Sequence, residues 1–262
     1  MENMEINYSL LLLVFVLLSL LFCLEYERKS KGKKKLEKFY RSYKCLFGLI
    51  NTPYRFLSYN SAYLPMGYFK SHSLILKNFS KIRDEVVNLM NSNPDQLKGF
   101  ADVIYDSKGI SHQQWVTFWL KLYKKNCTRT AEQLLPITSN LIQQCPDVHL
   151  AMISILQPGA SIKAHYGPVK SCYRYLLTLS CCPSGKGFIS VDNKQHFWKA
   201  ILFDDTYRHY VENPTSKDRV VLFLDVERKL YFPFNIINRF ILLNAGIIPK
   251  FRKMQNQVYD VR

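Results

Sequence analysis

Two histidines and two arginines in the C-terminal half of the chain are the residues whose types and settings could do chemistry together. His165 follows a turn, in the run PGASIKAHYGP, and His209 follows a strand-like end, FDDTYRH. Imidazole is a good neutral ligand for iron, and a two-histidine site with open positions suits oxygen chemistry. Any two histidines of a β-domain can equally be surface or satisfied core residues. Arg174 sits inside the apolar segment CYRYLLTLS, and Arg219 opens RVVLFLDV. A guanidinium on an inward strand face is costly unless it meets an anion. A bidentate carboxylate partner is the natural answer. That partner is either a dicarboxylate bound beside a metal or the chain's own Asp204, Asp205 or Asp225, and the residues alone leave both open.

The order and spacing of these residues resemble the aspartyl/asparaginyl β-hydroxylase domain family. The resemblance is carried by SILQPG at 154–159, HYGP at 165–168, Arg174, Trp198, FDDTYRH at 203–209, and Arg219 with VVLFLDVER. Within that family the chain is similar to the bacterial lipid A 2-hydroxylases. These share one N-terminal membrane span with a basic flank, and segments like NTPY (51–54), IRDE (82–85), HYVEN (209–213) and DVER (225–228). The resemblance implies a double-stranded β-helix, a relative of the jelly roll. It implies Fe(II) held by His165 and His209, with 2-oxoglutarate as co-substrate. Arg219 and Ser154 would hold the distal carboxylate, Arg174 would face the metal-chelating end, and Asp205 would orient a metal-bound water. Trp198 is expected to pack the sheet. The implied reaction uses O2 and 2-oxoglutarate to hydroxylate an unactivated C–H bond, expected on an acyl chain of lipid A or a related membrane lipid; the alternatives are a peptidyl aspartyl/asparaginyl β-hydroxylase and an inactive membrane-bound member. Two positions depart from the bacterial pattern. Gly167 stands where an acidic residue follows the first histidine, as glycine also does in the peptide-modifying branch, and Leu176 stands where many members have a histidine.

The elements that must position these groups follow from the texture of the chain. After Pro146, short runs rich in β-branched and aromatic residues are split by turn signals at 157–159, 183–185 and 213–214, which suits a sandwich or barrel. Residues 39–146 read as mixed and mostly helical. The stretch 79–90 has helical apolar spacing, with Ser80 as its expected cap and Asn93-Pro94 as its stop. Segments 115–123 and 131–143 read as further helices. The expected organisation is an anchor over 1–27, a basic helical region over 28–146, the dioxygenase β-core over 147–228, and an apolar, basic tail over 229–262. Within that tail, 235–248 fits either a helix in the membrane interface or one packed on the domain.

Charge and composition set the partners. The 262 residues carry a net charge of +16 with 48% hydrophobic residues, so a real core is available and an anionic partner is expected. Basic residues crowd 28–44, directly after the uncharged run YSLLLLVFVLLSLLFCL at 8–24. That placement favours lipid headgroups over nucleic acid, for which no zinc-finger or RNA-binding signature is present. At ~1.5 Å per residue the run spans roughly 25 Å, short but adequate for a transmembrane helix. Its acidic start argues against a cleaved signal peptide. The basic flank places the globular part on the cytosolic side. Seven cysteines without a C-x-x-C pair suit a reducing compartment. His149 and His196 read as structural, His72 and His112 lack a ligand-spaced partner, and Asp225 with Glu227 is expected to end a strand and bind Arg228 or backbone.

Overall fold

A computed structural model describes residues 51, 54, 57–100, 114–167, 169–180, 187–197 and 199–259. The apolar run at 8–24, the basic cluster at 28–44, His112 and Trp198 lie outside the described residues. Among the described residues no helix is long and apolar enough to cross a membrane.

The fold begins with two helices, α1 (His72–Lys77) and α2 (Phe79–Ser92), followed by the short strand β1 (Lys98–Gly99) and by β2 (Trp115–Leu122). Helices α3 (Arg129–Leu134) and α4 (Pro136–Gln143) lead into the β-core. Its strands are β3 (Val148–Leu156), β4 (Ser161–His165), β5 (Cys172–Thr178), β6 (Phe188–Val191), β7 (Lys194–His196), β8 (Ala200–Phe203), β9 (His209–Glu212) and β10 (Arg219–Glu227). Helices α5 (Phe234–Leu243) and α6 (Pro249–Tyr259) close the chain.

The strands form two antiparallel sheets, in the orders β1-β2-β3-β10-β5-β8 and β4-β9-β6-β7. From β3 onward the strands alternate between the sheets, except that β6 and β7 form a hairpin within the smaller one, in the manner of a double-stranded β-helix, a relative of the jelly roll. The expected fold is therefore present, with β1 and β2 added to the edge of the larger sheet.

Alternation along each strand separates two cores. Leu150, Met152, Leu156, Leu176, Ile201, Phe203 and Val221 face the smaller sheet's Ile162, Ile189, Val191 and Val211. Ala151, Ile153, Ile155, Tyr175, Leu177, Leu222 and Leu224 face outward, where helices cover them. On α2 the buried Ile82, Val86 and Leu89 form the apolar stripe that the spacing predicted. Each such side chain contributes about 1.5–3 kcal/mol when fully buried. Glu85 of α2 caps α4, accepting from the amides of Ile137 (2.7 Å) and Thr138 (2.8 Å), which satisfies donors at a helix N-terminus.

Three local expectations differ. Segment 115–123 is strand β2, not a helix, and it is buried along nearly its whole length. Its WVTFWLKL pattern is rich in the aromatic and β-branched types that suit a pleated surface, and β3 supplies the partner. The segment 131–143 is two helices, because Pro136 cannot donate within a continuous one and starts α4 instead. Asn78, not Ser80, precedes α2. It makes no side-chain cap and donates back to the Leu74 carbonyl, since α1 runs almost directly into α2.

The tail packs on the domain through one face and leaves the other open. α5 packs through buried Asn238 and Leu242, while Ile236, Ile237, Phe240 and Ile241 stay exposed.

Candidate active site

His165 ends β4 and His209 begins β9, and the two are register partners across the smaller sheet. The long sequence gap between them is closed by this antiparallel pairing. Their ring centroids lie 4.1 Å apart. Each Nδ1–H donates to a backbone carbonyl two residues back, His165 to Lys163 at 2.8 Å and His209 to Tyr207 at 2.9 Å. A carbonyl oxygen can only accept, so these bonds fix the tautomer and leave each Nε2 with its lone pair. Burial pushes the His165 imidazole below its ordinary value, with the charge of Arg174 adding to the effect. Burial, then His165 and Arg174, push His209 well below. Metal binding requires neutral imidazole, so two such rings with fixed Nδ1 protons could each offer an Nε2 lone pair to a divalent ion. Among the described residues no group of three His, Cys, Asp or Glu side chains could hold a metal, so the candidate centre consists of these two rings.

Arg174 points inward from β5, opposite Asp225 of β10 and Phe203 of β8. Its guanidinium reaches Asp205 Oδ2 at 3.0 Å and Asp225 Oδ1 at 3.2 Å, and it lies 4.4 Å over the Phe223 ring. The chain's own carboxylates thus account for part of its pairing. Tyr123 fixes Asp225 in turn, donating to Oδ2 at 3.0 Å. Asp225 and Glu227 do end β10 as expected, but where Arg228 or backbone was expected as their partner, Asp225 meets Arg174 and Glu227 accepts from His149 at 3.0 Å. Arg228 is buried and pairs with Asp204 instead, at 2.5 Å. Asp204 also takes Lys170 at 2.6 Å and the Thr206 hydroxyl at 2.6 Å. Burial pushes the Asp204 carboxyl up, but Arg228 and Lys170 outweigh it and hold the group below its usual range.

Adjacent aspartates therefore divide the work, Asp204 clamping the frame and Asp205 facing the site. Burial pushes Asp205 up to about 7, with Asp225 and Asp204 adding to it, against the pull of Arg174. Asp205 also explains Gly167. A Cβ at 167 would fall inside the Asp205 carboxyl group, with Oδ1 at 2.5 Å and the other two atoms closer. The carboxylate that an acidic residue at 167 would bring is replaced in space by one from the other end of the site.

Ser154 and Arg219 share the inner face but lie farther along it. Arg219 pairs with Leu156 and Ser154 with Val221 in the β3–β10 ladder. Arg219 stands six residues along β10 from Asp225, the partner of Arg174, which is roughly 20 Å at 3.4 Å per residue. The two arginines thus bracket the inner face from opposite ends rather than adjoining. Leu176, between them, is part of the apolar interior and offers no hydrogen bond. Trp115 donates from Nε1 to Ser154 Oγ at 2.8 Å. Reading β2 as a helix hid this residue, and also Tyr123 just beyond it. The density of aromatic and β-branched residues over 115–119 was the signal that could have revealed Trp115.

Other sequence motifs prove to be clamps. Asn213 donates to the carbonyls of Leu156, Gln157 and Lys217, closing the turn regions beside β3 and β9. Asn51 accepts from the Lys170 amide at 2.7 Å, and Tyr54 donates to Asn238 at 2.8 Å. His72 meets the Tyr175 hydroxyl at 3.0 Å and His196 packs on Tyr63, consistent with structural roles. Cys127, Cys145 and Cys172 are buried free thiols.

With this geometry in place, the comparison with known proteins is decisive on ancestry: residues 76–229 match the family model described as aspartyl/asparaginyl beta-hydroxylase. The chain belongs to that family. An ornithine lipid ester-linked acyl 2-hydroxylase of Rhizobium tropici is 35% identical over 184 residues, covering 68% of this chain and 64% of that relative. Among solved structures, a Pseudomonas putida prolyl-4-hydroxylase overlaps with a TM-score of 0.40 at 14% identity, over 63% of this chain and all of that one. A 2OG-Fe(II) oxygenase family oxidoreductase from Burkholderia pseudomallei overlaps with a TM-score of 0.34 at 11% identity, over 46% and 71%. The strand order, rather than these distant overlaps, identifies the core of this aspartyl/asparaginyl β-hydroxylase family member.

Proposed function

We propose that this family member is an Fe(II)- and 2-oxoglutarate-dependent hydroxylase acting on an acyl chain of a membrane lipid. The observation that carries the reading is the pair of facing imidazoles, 4.1 Å apart, each neutral and each with Nδ1 tied to backbone. Their Nε2 atoms would hold Fe(II). When bound, the iron with O2 and 2-oxoglutarate supplies the oxidation, yielding succinate, carbon dioxide and a hydroxylated C–H position.

The residues of the chain bind and orient. Arg174, steadied by Asp205 and Asp225, presents positive charge beside the histidines for the metal-binding end of the keto-diacid. Ser154, oriented by Trp115, and Arg219 take the distal carboxylate from the other end of the inner face. Asp205 is buried beside the site and suited to hold a proton or a water. The apolar interior around Leu176, Ile201 and Val221 keeps bulk water out.

The lipid substrate is supported by the name of the Rhizobium tropici relative and by the apolar run with its basic flank. The lipid is lipid A or a related membrane lipid, such as the ornithine lipid of that name. The basic flank argues for a single-pass protein with its catalytic domain in the cytosol. A peptidyl aspartyl/asparaginyl β-hydroxylase is the second reading, favoured by Gly167, and the cytosolic placement weighs against it.

The test is iron titration and 2-oxoglutarate turnover by the purified chain, with mass spectrometry of lipids from cells with and without the gene. Expected are iron-dependent succinate release, its loss in His165→Ala and His209→Ala, and lipids bearing one added oxygen only when the gene is present. No iron binding and no succinate would end the enzyme reading. Succinate with unchanged lipids and an oxidised peptide would favour the second.

A further inference from the structure

Helix α5 packs on the domain through Leu242 and Asn238 and turns most of its apolar surface outward. Its polar Asn238 is buried, at 1% exposure, donating to the Ser171 carbonyl and accepting from Tyr54. Its apolar side chains point the other way: Phe240 is 66% exposed, and Ile236, Ile237 and Ile241 are about as open. The flanking Phe232 and Ile247 extend this face. Nine of the fourteen large hydrophobic side chains exposed among the described residues fall between 231 and 248. Scattered exposed apolar residues need no explanation, but a contiguous patch on one helix marks an interaction site.

The setting of the patch identifies what it meets. A cleft of about 1280 Å³ borders it, lined by Leu243 and Ile247 and by three cations, Lys124, Lys125 and Arg129, against one acid, Glu132. Arg239 on α5 and Arg252 on α6 are also exposed. Apolar side chains rimmed by cations suit an acyl layer beneath anionic headgroups, whereas a protein interface is depleted of lysine. The patch is also placed at the end of the β-core that holds the candidate site. Asn238 grips Ser171, just before β5 and Arg174. On α6, Phe251 packs edge-on against Tyr123, with centroids 5.4 Å apart, and Tyr123 bonds Asp225 beside Arg174.

We propose that the exposed face of α5, with the adjoining basic cleft, docks on an anionic lipid bilayer and sets the mouth of the histidine site at the membrane surface. An acyl chain then needs to be lifted only a short way to reach the imidazoles, without leaving an apolar environment. The proposal rests on the lipid-hydroxylase reading for its purpose, but its test needs no turnover.

The full chain is reconstituted into vesicles of phosphatidylcholine and phosphatidylglycerol with p-benzoylphenylalanine in place of Ile237, Phe240 or, as control, Val87. Val87 lies on α2 and is as exposed as Ile237, at 50% each. Irradiation is expected to give lipid adducts at 237 and 240 and none at 87. Adducts to the chain's own 8–24 segment, adducts to a second copy, equal lipid adducts at 87, or no adduct would each overturn the proposal. Undiminished adducts in phosphatidylcholine alone would remove its anionic part. Lipid adducts in a chain that releases no succinate would leave the docking face standing while the hydroxylase reading fails.

Discussion

Replacing Gly167 with alanine probes the candidate site through its tightest packing. Among the described glycines a positive φ occurs at Gly159 and not at Gly167, so residue 167 is glycine for space rather than for backbone freedom. A methyl carbon needs about 3.5–4.0 Å from a neighbouring heavy atom. With Asp205 Oδ1 only 2.5 Å from the new Cβ, and Oδ2 and Cγ nearer, the carboxyl group must retreat by ~1 Å or more. Its Oδ2 now lies 3.0 Å from Arg174, and such a shift takes it out of hydrogen-bonding range. Overpacking a filled site costs about 1–3 kcal/mol. Breaking a buried ion pair outright costs about 3–5 kcal/mol, but Arg174 keeps Asp225 at 3.2 Å, so the combined loss is expected near 2–3 kcal/mol. For a domain of this size that lowers Tm by about 4–12 °C. The assay is thermal unfolding of the full chain as wild type, Gly167→Ala, Asp205→Ala and the double variant. In the Asp205→Ala background the methyl group enters vacated space, so Gly167→Ala is expected to cost less than about 0.5 kcal/mol there, giving a coupling of about 1.5–2.5 kcal/mol. Wild-type stability in Gly167→Ala, or the same cost in both backgrounds, would refute the steric account.

Three further outcomes are expected. Gly167→Asp alone destabilises the chain without adding a metal ligand, whereas Gly167→Asp with Asp205→Ala folds and binds Fe(II) more tightly; isothermal titration of both decides it. Asp204→Asn leaves Lys170 and Arg228 buried without their shared anion and costs about 3–5 kcal/mol, read by urea unfolding. Because the folded-state pKa of Asp204 lies below its unfolded value, its contribution is present above the ordinary carboxylate range and is lost as pH falls through the folded value. The stability gap between wild type and Asp204→Asn should therefore narrow on acidification, and a gap constant with pH would be contrary. Trp115→Phe removes the donor that orients Ser154, and is expected to raise the KM for 2-oxoglutarate about fivefold, the equivalent of one neutral hydrogen bond, with little change in kcat. An unaltered KM would separate Ser154 from the co-substrate.

Much of the β-core was legible in the sequence because strand signals are local. Runs such as VHLAMISIL and RVVLFLDVE are mostly apolar, as strands covered on both faces are, and turn residues separate them. The order of His165, Arg174, His209 and Arg219 carried the family resemblance, and the β4–β9 register brings the two rings together. Segment 115–122 was misread because its partners lie outside it: β3 pairs with it from across α3 and α4, and burial on both faces obscures any period.

The sequence by itself determined which side chains are available to the chemistry and the alternation that turns them toward the inner face, since both depend on residue type and a period of two. Only the tertiary structure decided how the charges pair. It sends Asp204 to Lys170 and Arg228 while its neighbour Asp205 meets Arg174, seats the Asp205 carboxyl where Gly167 leaves room, and turns the apolar side of α5 outward. Those choices depend on distances between segments remote in the chain, and Asp204 and Asp205 lie in the turn between β8 and β9, where no strand period assigns a direction to either.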